Sequence, residues 1–207
     1  MTVSIDQHFN VVMKKLEQYG MLLVSGPEIF DVRRLVSGES GKGSWWSDKA
    51  AHTIFAINER LEDHPDVTIT KLVSKKVTFV HRQLWSHLHA IGTAQSEWQT
   101  AGLTDPSKQL LQDVEAQGVV TSKPSGLAKE LELRLMVHAR QVHTESGAHA
   151  KILESWSHWA KTIKFKPKRI ENANAEKFLE VRLAEINQAC DGTGSLPWQK
   201  PQRRRVK

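Results

Sequence analysis

Residues 67 to 81 read VTITKLVSKKVTFVH, two runs rich in β-branched and aromatic residues on either side of Ser74-Lys75-Lys76. Such side chains suit a pleated, half-buried surface, and the polar break is where the chain reverses, so the stretch predicts a β-hairpin with a basic tip. The flanks follow a different period. On the N-terminal side, Ser47 precedes Ala50, Ile54, Ile57 and Leu61, which recur at spacings of four, three and four, and His64-Pro65-Asp66 closes the helix that they define. On the other side Leu84, Leu88 and Ile91 restore helical spacing.

Further toward the N-terminus, Ile5, Phe9, Val12 and Leu16 mark one stripe of a helix that Gly20 is suited to end. Met21 to Val24 is a short apolar run. Pro27 opens a short helix over EIFDVRRLV, and Ser37 to Ser44, SGESGKGS, reads as a loop. The order helix, strand, helix, helix, hairpin from Ile5 to His81 resembles the winged-helix fold. That resemblance implies that the third helix, Ser47–Leu61, lies in a DNA major groove while Ser74-Lys75-Lys76 touches backbone or minor groove. Ser47–Asp63 carries Asp48, Glu59, Glu62 and Asp63 against Lys49 and Arg60, a balance that opposes approach to phosphates.

In the second half, Asp105-Pro106 opens a helix carrying Leu110, Leu111 and Val114, and Gly118 ends it. Val119-Val120-Thr121 reads as a short strand. Ser125 caps a long helix to Val142 with Leu127, Leu131 and Leu135, another helix after Gly147 uses Ala148, Ile152, Trp156 and Trp159, and a last one uses Leu179, Leu183, Ile186 and Cys190. The pair Pro106–Gln117 and Ser125–Val142 is a candidate second helix-turn-helix-like module. The expected fold class is therefore mainly α. It comprises a winged-helix-like domain with a β-hairpin over residues 1–92, a helical domain over 93–190, and a disordered basic tail over 191–207.

The net charge of +6 is concentrated. Lys161 to Arg169, KTIKFKPKR, holds five basic residues and no acid, and Asp191 to Lys207 holds five against one. The chain outside these two segments is mildly acidic, apart from Val67 to Ser96, which carries Lys71, Lys75, Lys76 and Arg82 and no acid. Clustered cations release counterions on meeting phosphates, so the expected partner is nucleic acid, DNA in the first instance. The expected contacts are Lys71, Lys75, Lys76 and Arg82 on the hairpin, Lys164, Lys166, Lys168 and Arg169 in the second segment, and Lys200, Arg203, Arg204 and Arg205 in the tail, where Trp198 adds an aromatic. The bland alternatives are a solubilised hairpin tip, a solubilising tail, and a half-buried strand edge formed by Ile163 and Phe165.

Other chemistries find little support. His87 and His89 diverge on a helix, and His138, His143 and His149, with Glu145 nearby, match no zinc-ligand spacing, so neither metal nor other cofactor is expected. GESGKGS lacks the GxxxxGK[ST] spacing of a phosphate loop, no GxSxG nucleophile elbow occurs, and Trp45-Trp46 reads as core. A single cysteine, Cys190, the lack of an apolar leader and the lack of a membrane-length apolar window point to the cytoplasm. The function expected is noncatalytic nucleic-acid binding. The rivals are an enzyme acting on nucleic acid and a helical adaptor that buries exposed tryptophans against a protein partner or a second copy of itself.

Overall fold

Ser4 Oγ accepts the Gln7 N–H at 3.2 Å and Gln7 Oε1 accepts the Ser4 N–H at 2.8 Å, a reciprocal cap that starts helix α1 (Ile5–Tyr19). Gly20, at φ 83°, ends it by returning its N–H to Leu16 O, and a Cβ there would sit 2.7 Å from Leu84 Cδ1. Glycine is required at that position both for its backbone and for its lack of volume. Strand β1 (Met21–Leu23) follows directly. Asp31 caps helix α2 (Val32–Ser37) by accepting the Arg34 N–H, and helix α3 (Ala51–Glu62), strand β2 (Val67–Thr70) and strand β3 (Thr78–His81) complete the series.

The computed structural model describes residues 4–38, 44–122, 125–143 and 149–199. These fall into two units, Met1–Leu84 with Leu179–Lys207, and Trp85–Phe178. The divide lies between Leu84 and Trp85 rather than after residue 92, and the end of the chain returns to the first unit.

In the first unit β3 lies between β1 and β2, antiparallel to both, so that Phe79 faces Leu22 on one side and Ile69 on the other. Val12, Leu16, Leu22, Val32, Ile54, Ile57, Leu61 and Phe79 form its core. The helix expected from Ser47 begins instead at Ala51. Ser47 belongs to a 3-10 turn, Trp45–Ser47, and Ala50 is the N-cap, without a side-chain cap; Asp48 holds the approach to the helix by accepting the Ala50 N–H at 2.9 Å and the Arg33 Nε–H at 2.7 Å.

The second unit contains helices α4 (Trp85–Gly92), α5 (Glu97–Thr100) and α6 (Asp105–Gln117), strand β4 (Val119–Ser122), helix α7 (Gly126–Leu133), strands β5 (His138–His143) and β6 (His149–Glu154), and helix α8 (Trp156–Thr162). Helix α9 (Asn172–Cys190) contributes its residues up to Phe178 here and the remainder to the first unit. Strand β6 lies between β4 and β5, again antiparallel to both, so each unit places its last strand in the centre of a three-stranded sheet. The molecule is thus mixed, with predominating helix and two small sheets, rather than mainly α.

The predicted helix from Ser125 to Val142 stops at Leu133 because the chain turns at Leu135, φ 55°, and the freed carbonyls find partners elsewhere. Gln99 Nε2 donates to Arg134 O, and Trp156 Nε1 donates to Leu135 O at 2.7 Å. Beyond that turn, the residues expected to be helical on either side of Gly147 pair in register as β5 and β6.

The disordered-tail expectation is corrected for residues 191–199. Leu196 is 1% exposed, Thr193 and Gly194 donate their N–H groups to Glu28 O, and Trp198 Nε1 donates to Glu180 Oε1 at 2.8 Å. A buried leucine and satisfied backbone hold this segment to the first unit. No helix among the described residues is long and apolar enough to cross a membrane.

Candidate nucleic-acid interface

The hairpin tip is built differently from a free-standing loop. Leu72 and Val73 turn inward and are fully buried, which leaves strands shorter than the sequence runs, and Ser74 and Lys75 reverse the chain at φ 51° and 61°. Lys76 Nζ pairs with Glu28 at 2.8 Å, Arg82 with Asp66 at 2.6 Å, and Lys71 is half-buried. Lys75 is exposed. Two of the four cations expected to meet phosphates at the hairpin are therefore already neutralised by carboxylates.

The segment Lys161–Arg169 is arranged otherwise. Ser155 Oγ caps α8 by accepting the His158 N–H, and the helix ends with two crossed hydrogen bonds, Lys164 N–H to Lys161 O at 3.1 Å and Phe165 N–H to Ala160 O at 2.8 Å. This closure needs a left-handed residue at position 164, which is Lys at φ 55° where glycine is the cheapest choice. The side chain that follows the turn packs back in the manner of such a closure: the Phe165 ring lies 6.2 Å from that of Trp159 and edge-on to Trp85 at 5.3 Å. Lys166 to Arg169 then run without forming a strand, pinned where Lys168 N–H donates to the buried Ser86 Oγ at 3.0 Å. Lys161, Lys164, Lys166, Lys168 and Arg169 are all exposed, and none pairs with a carboxylate among the described residues.

Below this segment the second unit has an open cleft of about 480 Å³. Lys161, Lys168, Arg169 and His89 line it together with the apolar Ala90, Ala160, Phe165 and Ile170 and the polar Thr93 and Ser157. Burial holds the His89 imidazole below its usual pKa, which favours the neutral ring. Lys161 was outside the sites expected individually, although it opens the basic run. His89 and Phe165 gave no signal beyond their residue types, because the turn at Lys164 that brings them to one hollow is not visible as a periodicity.

The remaining candidates separate. His138 is buried with its Nδ1 3.4 Å from Glu154 Oε2, while Arg140 and His158 approach the same carboxylate at 3.8 and 4.0 Å. The His138 interaction holds the Glu154 carboxyl below the usual range. His143 and His149 face one another in the strand register, and Glu145 lies outside the described residues. No group of three metal-ligating side chains occurs among the described residues. His87 lies flat on Phe178, ring centroids 4.0 Å apart. Trp45 packs partly against the first core, as expected, but Trp46 is 62% exposed, stacked on Trp45 at 3.9 Å and next to Phe55. Lys200, Arg203, Arg204 and Arg205 lie outside the described residues.

Comparison with protein-family models, curated proteins and solved structures returned no match for this chain.

Proposed function

We propose that this chain is a noncatalytic nucleic-acid-binding protein whose principal phosphate contacts come from Lys164, Lys166, Lys168 and Arg169, with Lys161 beside them. The observation that carries the reading is the run of exposed cations without carboxylate partners among the described residues. A carboxylate beside a cation repels an approaching phosphate, whereas unpaired cations release counterions on contact without that opposition. The hairpin contributes through Lys75 and, secondarily, through Lys71, Lys76 and Arg82. A winged-helix reading of the first unit is supported by its order α1, β1, α2, α3, β2, β3 with β3 central, and the same strand order in the second unit supports a second, related module. The acidic balance of α3 argues that the helix does not enter the groove in the manner of that family.

The test is a salt titration with duplex DNA and single-stranded RNA. Lys164→Glu with Lys166→Glu is expected to weaken binding and flatten the dependence of affinity on salt, more than Lys14→Glu with Lys129→Glu, which reverses two exposed lysines elsewhere. Equal losses from both pairs mean that only overall charge matters. A second reading, an adaptor for a protein partner, draws on the exposed Trp46 and its neighbour Phe55. Association that persists at high salt without nucleic acid, and is lost on Trp46→Ala, would favour it.

A further inference from the structure

We propose that the cleft between Lys161 and Arg169 is a pocket for a single nucleoside phosphate unit, with phosphate at the cationic side chains and the base against the apolar ones. This deepens the nucleic-acid reading and rests on it for the identity of the ligand.

Three features of the cleft select this chemistry. Its volume of about 480 Å³ falls in the range of small-ligand sites, about 300 to 1,000 Å³, and suits one nucleotide. A duplex keeps its bases paired and stacked inside, so it has none to place in a hollow of this size; a single strand, or a free nucleotide, does. Next, the lining combines positive charge with apolar surface, Thr93 and Ser157 being its uncharged polar side chains. Lys161, Lys168 and Arg169 bring three positive charges to it, while Ala90, Ala160, Phe165 and Ile170 offer no hydrogen-bonding side chain, which matches an anion joined to a flat, weakly polar ring. Inorganic phosphate alone would leave that lining uncovered.

The third feature is rigidity. Phe165 is buttressed by Trp85 and Trp159, the helix closure fixes its backbone to Ala160, and the Lys168 backbone is anchored to Ser86. The Phe165 wall and the Lys168 backbone are therefore in place before a ligand arrives, and the ordering that binding requires falls on the cationic side chains. Lys164 strengthens the case. Its left-handed backbone would be met more cheaply by glycine, and it places a further exposed cation one residue before Phe165.

Two sources share this chemistry, a free nucleotide and one nucleotide of a strand, and the probes separate them. Binding of thymidine 5′-monophosphate is measured by calorimetry, and that of dye-labelled hexathymidylate and of a duplex by anisotropy. Three proteins are compared: wild type, Thr93→Trp, and Lys161→Ala with Arg169→Ala. Thr93 is exposed and lines the cleft, so tryptophan there fills the hollow without changing charge. Wild type is expected to bind hexathymidylate, with about a tenfold loss in Thr93→Trp and at least that in the double variant, while duplex affinity is unchanged by Thr93→Trp. Monophosphate binding with the same sensitivity identifies a free nucleotide as sufficient; hexathymidylate binding alone identifies a strand segment. The proposal is overturned if wild type binds neither probe, or if both variants, with thermal transitions intact, bind them as wild type does. Loss of duplex binding in Lys164→Glu with Lys166→Glu tests the broader reading separately, so either can fail while the other stands.

Discussion

Ser74, at the hairpin turn, and Ser195, near the end of the chain, exchange two hydrogen bonds: Ser74 N–H donates to Ser195 O at 2.7 Å, and Ser195 N–H donates to Ser74 Oγ at 3.2 Å. Residues so far apart in sequence make the hairpin tip and the last described segment one structural piece. Leu196 beside them is fully buried, so Leu196→Ala is expected to cost about 2 to 4 kcal/mol in urea denaturation, whereas removal of Lys200 to Lys207 is expected to leave the transition in place and reduce salt-dependent binding. A Leu196→Ala protein as stable as wild type would show that the segment does not contribute to the fold.

Asp31 gives the first unit a pH dependence of defined sign. Burial pushes its carboxyl up to about 6, against the opposing pull of the Arg34 N–H and of the Arg34 and Arg33 charges. Because the folded pKa lies above the unfolded value of 3.8, the folded state holds the proton more tightly. This contribution is fully present below about pH 4, is lost as pH rises to about 6, and leaves a deficit of at most about 3 kcal/mol at neutral pH. Asp31→Asn keeps a capping oxygen and removes the ionisation, so it should raise stability at pH 7.5 and flatten the slope between pH 4 and 6 in urea melts. Unchanged stability at both ends would mean that the carboxyl is solvated.

At Lys164 stability and binding are expected to move in opposite directions. Lys164→Gly relieves a left-handed lysine and should stabilise the protein by about 1 kcal/mol in thermal or urea melts. The same change removes one phosphate contact and should lower the slope of log affinity on log salt by roughly one. A destabilised variant would contradict the helix closure described for α8.

Gly92 tests the packing of the second unit. A Cβ there would lie 2.1 Å from Trp156, whose ring is 1% exposed and whose Nε1–H is committed to Leu135 O. Gly92→Ala should therefore destabilise by about 2 kcal/mol or more, despite alanine's better helix propensity, and red-shift the tryptophan emission as the ring is displaced.

Sequence pattern conveyed much of the first unit, because its helices carry apolar stripes and its hairpin carries β-branched runs whose periods differ, although the helix expected to open at Pro27 starts only at Val32, behind its Asp31 cap. It failed over residues 134–154. Leu127, Leu131 and Leu135 carry a helical spacing beyond the helix end at Leu133 and into the turn itself, and the partners that stop the helix, Gln99 and Trp156, lie far away in sequence. The candidate site was legible in part for the same reason. A run of cations is visible in composition, but whether each meets a carboxylate is a tertiary fact: Glu28 and Asp66 neutralise hairpin cations, and nothing in the order of residues announced it.

The first unit is interrupted in sequence by the whole of the second, and this has a consequence for synthesis. When Phe178 leaves the ribosome, every residue of the second unit exists, while the first still lacks Leu179, Leu183, Ile186 and Leu196, all buried in the finished protein. Domains fold as their residues emerge, and contacts between distant parts of a chain form slowly. The N-terminal half is therefore made first and completed last, and a prematurely terminated chain exposes the apolar surface of the part that was synthesised earliest.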